Sequence, residues 1–216
     1  MSYQTAIFDL DGTLLDTLED LYIAVNTALE RNALPPRTRD EVRMFVGNGV
    51  EMLVRRAVPA GSTEETVLTT LADFKATYAT VCEEHTAPYG GIPEVLRDLR
   101  DRGVRVAVVS NKFDAATKRL CAKYFGELVE VAIGETADVR KKPAPDTVFE
   151  AVKELGVTTE GAVYVGDSDV DIETARNCGI PCISVTWGLR DVDFLLRHGA
   201  TTLAHAPKEL LPLISQ

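Results

Sequence analysis

Four cysteines in 216 residues, Cys82, Cys121, Cys178 and Cys182, show neither a disulfide framework nor the paired spacing of a zinc ribbon, and read as buried thiols. Positive charge is the minority: 23 Lys and Arg face 33 Asp and Glu, a formal net charge of -10 that argues against nucleic acid or an anionic membrane as partner. No apolar run approaches the ~20 residues of a membrane span, and no charged-then-apolar leader precedes Ile7. A cytoplasmic address is the expectation. Internal repeats, low-complexity tracts and disordered linkers are also missing. What remains is ordinary for a globular chain, 45% hydrophobic and 26% charged with 6% aromatic. Its length suits one large domain, or a domain with a modest insertion.

The chain is organised around Ile7-Phe8-Asp9-Leu10-Asp11-Gly12-Thr13. Ala6-Ile7-Phe8 is a short apolar run closed by a glycine turn, the pattern of a buried strand. Alternation along it places Asp9 and Asp11 on one side. Two like charges so close call for a cation or a proton. From Asp16 the periodicity turns helical. Asp16-Thr17-Leu18-Glu19 predicts a capping box, Pro35-Pro36 a stop, Thr38-Arg39-Asp40-Glu41 another start, and Ser62-Thr63-Glu64-Glu65 the cap of a long helix towards Cys82. Residues 16–85 thus read as a helical insertion without a strand. Beyond Pro88, helices alternate with apolar runs at Arg105–Val109, Val129–Ile133, Ala162–Val165 and Cys182–Val185. Repeated units of this kind predict a doubly wound parallel sheet, covered on both faces, formed by residues 1–15 and 86–216.

Four polar clusters fall at the expected strand ends: Asp9/Asp11, Ser110-Asn111-Lys112, Lys141-Lys142-Pro143-Ala144-Pro145 and Gly166-Asp167-Ser168-Asp169-Val170-Asp171. In a doubly wound sheet such ends share one crevice. Asp9, Asp11 and Asp167 there make an oxygen-rich site suited to Mg²⁺. Ser110 and the amides after it are donors for a phosphoryl oxygen, and Lys142 supplies a compact positive charge for it. The set predicts a clamp for a transferring phosphoryl group. Taken singly, each cluster has a plainer reading as a turn, a helix cap or a surface loop. Asp169 is the expected cap of the helix that follows.

In order and spacing, these motifs resemble the haloacid dehalogenase-like superfamily of phosphohydrolases along essentially the whole chain. The resemblance implies a Rossmann-like core with an inserted all-helical cap, and Asp11 points within it to phosphoryl transfer. Phe45-Val46-Gly47-Asn48-Gly49-Val50, Leu53-Val54-Arg55-Arg56-Ala57, Thr86-Ala87-Pro88-Tyr89 and Tyr164-Val165-Gly166-Asp167-Ser168 are similar to bacterial phosphoglycolate phosphatases. Gly188-Leu189-Arg190 departs from the glycine-aromatic-asparagine run expected there. Carried over, Asp9 is the nucleophile that becomes an aspartyl phosphate. Asp11 is the general acid and then base, with Thr13 orienting it. Asp9 and Asp167 ligate Mg²⁺ by side chain and Asp11 by its carbonyl, while Ser110, Asn111 and Lys142 hold the phosphate. Asp171 stands behind the metal and acts through water.

Substrate choice is expected in the cap. There Gly47-Asn48-Gly49 permits close backbone approach ahead of a helix, and Arg43, Arg55 or Arg56 would meet a carboxylate; the plain alternative is a helix–helix turn. The resulting expectation is hydrolysis of a small phosphorylated metabolite, 2-phosphoglycolate first. A broad sugar-phosphate phosphatase, a pyrophosphatase, a phosphomutase and a receiver-type phosphoacceptor domain are the alternatives. The sequence carries no sign that decides between monomer and homodimer.

Overall fold

The computed structural model describes residues 2–215. In chain order it shows β1 (Thr5–Phe8), β2 (Leu15–Asp16), α1 (Leu18–Arg31), α2 (Arg39–Phe45), α3 (Val50–Ala57), α4 (Glu64–Val81), β3 (Ala87–Pro88), α5 (Ile92–Asp101) and β4 (Arg105–Phe113). There follow α6 (Asp114–Tyr124), β5 (Val131–Glu135), α7 (Asp146–Leu155), β6 (Ala162–Gly166), α8 (Asp169–Cys178), β7 (Cys182–Val185), α9 (Val192–Arg197), β8 (Thr202–Ala204) and α10 (Leu210–Ile214). These pack as two compact units, one holding the residues up to Leu15 and from Pro88 onward, the other Asp16–Ala87.

The larger unit is built on a six-stranded parallel sheet of order β5-β4-β1-β6-β7-β8. Its central strand is wholly buried. Alternation sends Ala6 and Phe8 into one apolar cluster with Val106, Val108, Val163 and Val165. Ile7 goes into a second with Ala107, Val109 and Tyr164. Residues of α5, α6 and α10 complete the first cluster, and residues of α7 and α8 the second. A strand buried on both faces must read as an unbroken apolar run, and β1 does. Each of Ile7 and Phe8 contributes about 1.5–3 kcal/mol by full burial. Because β4 and β6 flank β1 on opposite sides, their carboxyl ends open one crevice at the point where the winding reverses.

Several boundaries differ from the sequence expectation. The strand expected to end at Val109 continues to Phe113, with its register shifted between Val109 and Phe113. Ser110, Asn111 and Lys112 are polar but buried, and each finds partners. Polarity therefore does not expel them from the strand. The third apolar run is displaced to Val131–Glu135, and β8, a three-residue edge strand, carries too little pattern to be read. Ser168, not Asp169, caps α8 and forms a capping box with Asp171. At α1 no capping box forms: Thr17 makes no side-chain cap bond, and only the Asp16 carboxylate accepts from Leu18 N–H at 3.3 Å.

The smaller unit holds α1–α4, with α1 packed on α4. Leu21, Ala24, Val25, Ala28 and Leu29 of α1 and Val67, Leu71, Phe74 and Tyr78 of α4 are buried. Thr38 and Glu41 form the expected capping box on α2. Asp20 is buried in the first turn of α1, and its carboxylate accepts four hydrogen bonds. They come from His85 N–H and Nδ1, both at 2.9 Å, and from Thr86 N–H at 2.9 Å and Oγ1 at 2.7 Å. One side chain thereby ties the first helix of the unit to its last residues.

Candidate active site

All four polar clusters come together in the larger unit. Asp9 lies one residue beyond β1, its amide hydrogen-bonded to the Val165 carbonyl at 2.9 Å, which continues the ladder to β6. Its Oδ1 is 2.7 Å from Lys142 Nζ. The same ammonium donates to Asp171 Oδ1 at 2.8 Å and to Tyr164 Oη at 3.0 Å. Lys142 is itself positioned by Asn111. The amide of Asn111 donates to the Lys142 carbonyl at 2.9 Å and accepts from the Lys142 N–H at 2.8 Å. The role the resemblance gave Asn111, a direct hold on phosphate, is thus joined in the structure by a hold on the lysine. Ser110 is buried, with its Oγ accepting from Lys112 N–H at 3.2 Å.

Asp9, Asp167 and Asp171 each bring a carboxylate oxygen within 4.8 Å of the others, and all three are buried. Asp171, expected to act through water, stands inside this group, its second oxygen taking Ser168 N–H at 3.1 Å and Ser168 Oγ at 2.6 Å. The Asp11 side chain is not part of the group; Lys112 holds both its oxygens, at 2.9 and 3.0 Å. Asp167 accepts Leu189 N–H at 2.6 Å and, at 3.4 Å, Thr13 Oγ1. Two glycines let it sit there. A Cβ on Gly12, which has φ +85°, would run into the Asp167 carboxylate. One on Gly188 would run into the Gly12 carbonyl and Asp167 itself.

Electrostatics expose a shortage of positive charge. Burial raises the pKa of Asp9 well above the ordinary carboxylate range; Lys142 offsets this, and the charges of Asp171 and Asp167 add to it. Asp167 is raised to about 7, by burial and then by Asp171, against the Leu189 N–H and the charges of Arg190 and Lys142. Burial opposes the charge on Lys142, but Asp171 and Asp9 outweigh it and raise its pKa. With one ammonium shared between two carboxylates, a divalent cation among three buried oxygens would supply what is missing. An all-oxygen set at the carboxyl ends of the strands fits a hard ion such as Mg²⁺.

Three groups that the sequence analysis named only within longer motifs, and gave no role, are Lys112, the Leu189 amide and the Tyr164 hydroxyl. Lys112 had a legible signal. A lysine two residues beyond Ser110 in a buried strand needs an anion. The backbone donor at Leu189 had none. Next to it, the divergent Arg190 is buried, 4.0 Å from Asp169 and 5.5 Å from the Phe194 ring centre.

Gly47, Asn48 and Gly49 belong to the smaller unit, between α2 and α3, and the main chain has positive φ at both glycines. Asn48 Oδ1 accepts from Arg56 at 2.7 Å, and Arg56 also donates to the Phe45 carbonyl at 2.8 Å. Arg55 is engaged by Glu51 and Glu64. Of the expected substrate arginines, two therefore serve the unit's own structure.

The family model of haloacid dehalogenase-like hydrolases matches residues 6–185, and the chain belongs to that family. It is 36% identical to a phosphoglycolate phosphatase of Pseudomonas putida over 188 residues, covering 84% of this chain and 69% of that protein. To a phosphoglycolate phosphatase of Caulobacter vibrioides it is 34% identical, covering 98% of this chain and 92% of that one. A crystal structure of a candidate phosphoglycolate phosphatase from Lactobacillus delbrueckii subsp. bulgaricus superposes with a TM-score of 0.94 at 38% identity, over 100% and 99% of the two chains. The fold is accordingly a Rossmann-like parallel core with a helical cap, and the protein is a hydrolase, not a receiver-type module. Among the described residues no helix is long and apolar enough to cross a membrane.

Proposed function

We propose that this protein is a Mg²⁺-dependent phosphomonoester hydrolase acting through an aspartyl phosphate, with 2-phosphoglycolate as its substrate. The observation that carries the reading is the buried Asp9, held at 2.7 Å by Lys142 within a group of three carboxylates. Asp9 attacks phosphorus, forming an O–P bond as the bond to the ester oxygen breaks. Asp11 gives its proton to the departing alkoxide, then takes one from the water that cleaves the acyl phosphate, releasing inorganic phosphate and restoring Asp9. Lys142 and Ser110 hold the phosphoryl oxygens, Asn111 fixes Lys142, and Thr13 orients the acid–base loop. Asp9 and Asp167 would hold the cation by side chain, Asp11 by its carbonyl, and Asp171 through water or directly. When bound, the cation neutralises the carboxylates and the phosphoryl charge. The names of the relatives support 2-phosphoglycolate. Residues 16–85 serve as the cap, with Gly47, Asn48 and Gly49 as its substrate-recognition segment.

The test is phosphate release from 2-phosphoglycolate, glycerol phosphate, glucose phosphates and pyrophosphate at equal Mg²⁺. 2-Phosphoglycolate is expected to lead in kcat/KM, and activity to vanish in EDTA and return with Mg²⁺. A neutral sugar phosphate or pyrophosphate ahead by tenfold, about 1.4 kcal/mol in barrier, ends the substrate assignment. Full turnover in excess chelator ends the metal reading.

A further inference from the structure

Resting on that reading, we infer that Tyr164 is a positioning residue for phosphoryl transfer: its hydroxyl fixes the direction in which the Lys142 ammonium meets Asp9 and the transferred group.

A tyrosine is the exception in β6, whose other residues are Ala162, Val163, Val165 and Gly166. Its side chain is wholly buried in the second apolar cluster, with Ile7, Ala107 and Val109. A phenol so far from water costs stability unless its hydroxyl is matched. The sheet register sets Tyr164 beside Ile7, two residues before Asp9 and on the same face. Two residues of parallel strand rise about 6.6 Å, and the length of the ring carries the hydroxyl to Lys142 and Asp171.

The direction of each hydrogen bond follows from the chemistry of the partners. An ammonium has three donors and no acceptor. Those of Lys142 go to Asp9 Oδ1 at 2.7 Å, Asp171 Oδ1 at 2.8 Å and Tyr164 Oη at 3.0 Å. Tyr164 therefore accepts from Lys142, and its own proton is left for Asp171 Oδ1, 3.1 Å away. Lysine, tyrosine and aspartate close a triangle. Two N–H groups of the ammonium are held within it, so rotation about the Cε–Nζ bond is blocked and the third N–H faces Asp9. The second oxygen of Asp171 is kept by Ser168, which stops the carboxylate from turning to follow the lysine. Asp9 loses its charge on bonding to phosphorus, and the N–H that faced it passes to a phosphoryl oxygen with the ammonium already aimed. Without the hydroxyl one N–H is unmatched in the core, and the ammonium turns towards another acceptor. A misplacement of about 1 Å in such a group costs up to ~10²-fold in rate.

The experiment compares Tyr164→Phe with the wild type on 2-phosphoglycolate and on glycerol phosphate, both with saturating Mg²⁺. The substitution keeps the ring and its packing and removes only the hydroxyl. On both esters kcat falls by the same factor, about 10–100-fold, while KM changes by less than about threefold, the split left by an interaction made only in the transition state. Inhibition by orthovanadate, which takes up the five-coordinate geometry of the transferring group, weakens in parallel with kcat, and inhibition by inorganic phosphate does not. Once Lys142 is replaced the hydroxyl has no ammonium to aim, so Lys142→Met and Lys142→Met/Tyr164→Phe bind vanadate equally in calorimetry. This arm also stands if Tyr164→Phe alone does not fold. A further loss of vanadate affinity in the double variant overturns the inference. So does a Tyr164→Phe enzyme with the wild-type kcat, or one whose KM rises while kcat is kept. A wild type that favours glycerol phosphate ends the substrate assignment and leaves the inference standing, because the phosphoryl end is common to both esters. A wild type that hydrolyses neither ester refutes the phosphatase reading, and the inference with it.

Discussion

Replacing Asp167 by Asn should stabilise the metal-free protein at alkaline pH while disabling it. In the folded chain the Asp167 carboxyl is raised from 3.8 to about 7, by burial first and Asp171 second. A raised pKa means that folding takes up a proton. The stability this proton brings is fully present below the unfolded value and is lost as pH rises through about 7. Each pH unit inside that window changes stability by about 1.36 kcal/mol, so from pH 5 to pH 7 the wild type loses about 2.7 kcal/mol. Asn cannot ionise and loses none of it. Its Oδ1 can still accept from the Leu189 amide and its Nδ2 can face Thr13 Oγ1, so weaker hydrogen bonding is an offset common to all pH values. Relief of the repulsion that Asp167 exerts on Asp9 has the same sign. With an unfolding entropy of about 2.1 cal/mol/K per residue, 216 residues give about 0.45 kcal/mol/K. The melting temperature of Asp167→Asn minus that of the wild type should therefore rise by about 6 °C between pH 5 and pH 8 in EDTA. Saturating Mg²⁺ should cancel the gain, since a ligand at a hundred times its Kd adds about 2.7 kcal/mol to the protein that binds it. Differential scanning fluorimetry in both buffers is sufficient. A difference that does not change with pH in EDTA, or one that changes in the opposite direction, would falsify the account of Asp167 as a carboxylate short of a cation.

Asp9→Asn should abolish turnover and leave no acid-stable phosphoryl label on the protein after rapid quenching; near-native hydrolysis would remove Asp9 as nucleophile. Asp11→Asn should lose ~10²–10⁴-fold in kcat, the usual weight of general acid–base help, and an unchanged kcat would take the proton transfers away from Asp11. Gly188→Ala places a Cβ against the Gly12 carbonyl and Asp167, and should weaken Mg²⁺ binding in calorimetry about 10–100-fold, as displaced metal-site supports do; unaltered affinity would show that the 186–190 segment does not set the position of Asp167. Asp20→Ala strands the donors of His85 and Thr86 and should cost about 3 kcal/mol or more, roughly 7 °C in melting temperature; a shift under 2 °C would mean that the carboxylate does not tie the ends of the cap together.

The sequence by itself determined the parts whose physics is local. An apolar run buried on both faces needs no alternation, so β1, β4 and β6 were readable, and helix caps such as Thr38 with Glu41 are four-residue events. Asp9 and Asp167 were legible because they follow such strands, and Lys142 because it stands in the loop after β5; strand ends in this topology converge. Tertiary structure alone decided who holds whom. Asp171 lies in the first turn of α8 and Asp167 just ahead of its cap Ser168, and only the bend after β6 puts both beside Asp9. The pairing of Lys112 with Asp11 spans 101 residues, and that of Asn111 with Lys142 spans 31; no spacing rule predicts either. The Leu189 amide that holds Asp167 is a backbone group, identical in every residue but proline. Charge balance in a buried cluster depends on distances between residues far apart in the chain, and those distances exist only after the sheet has formed.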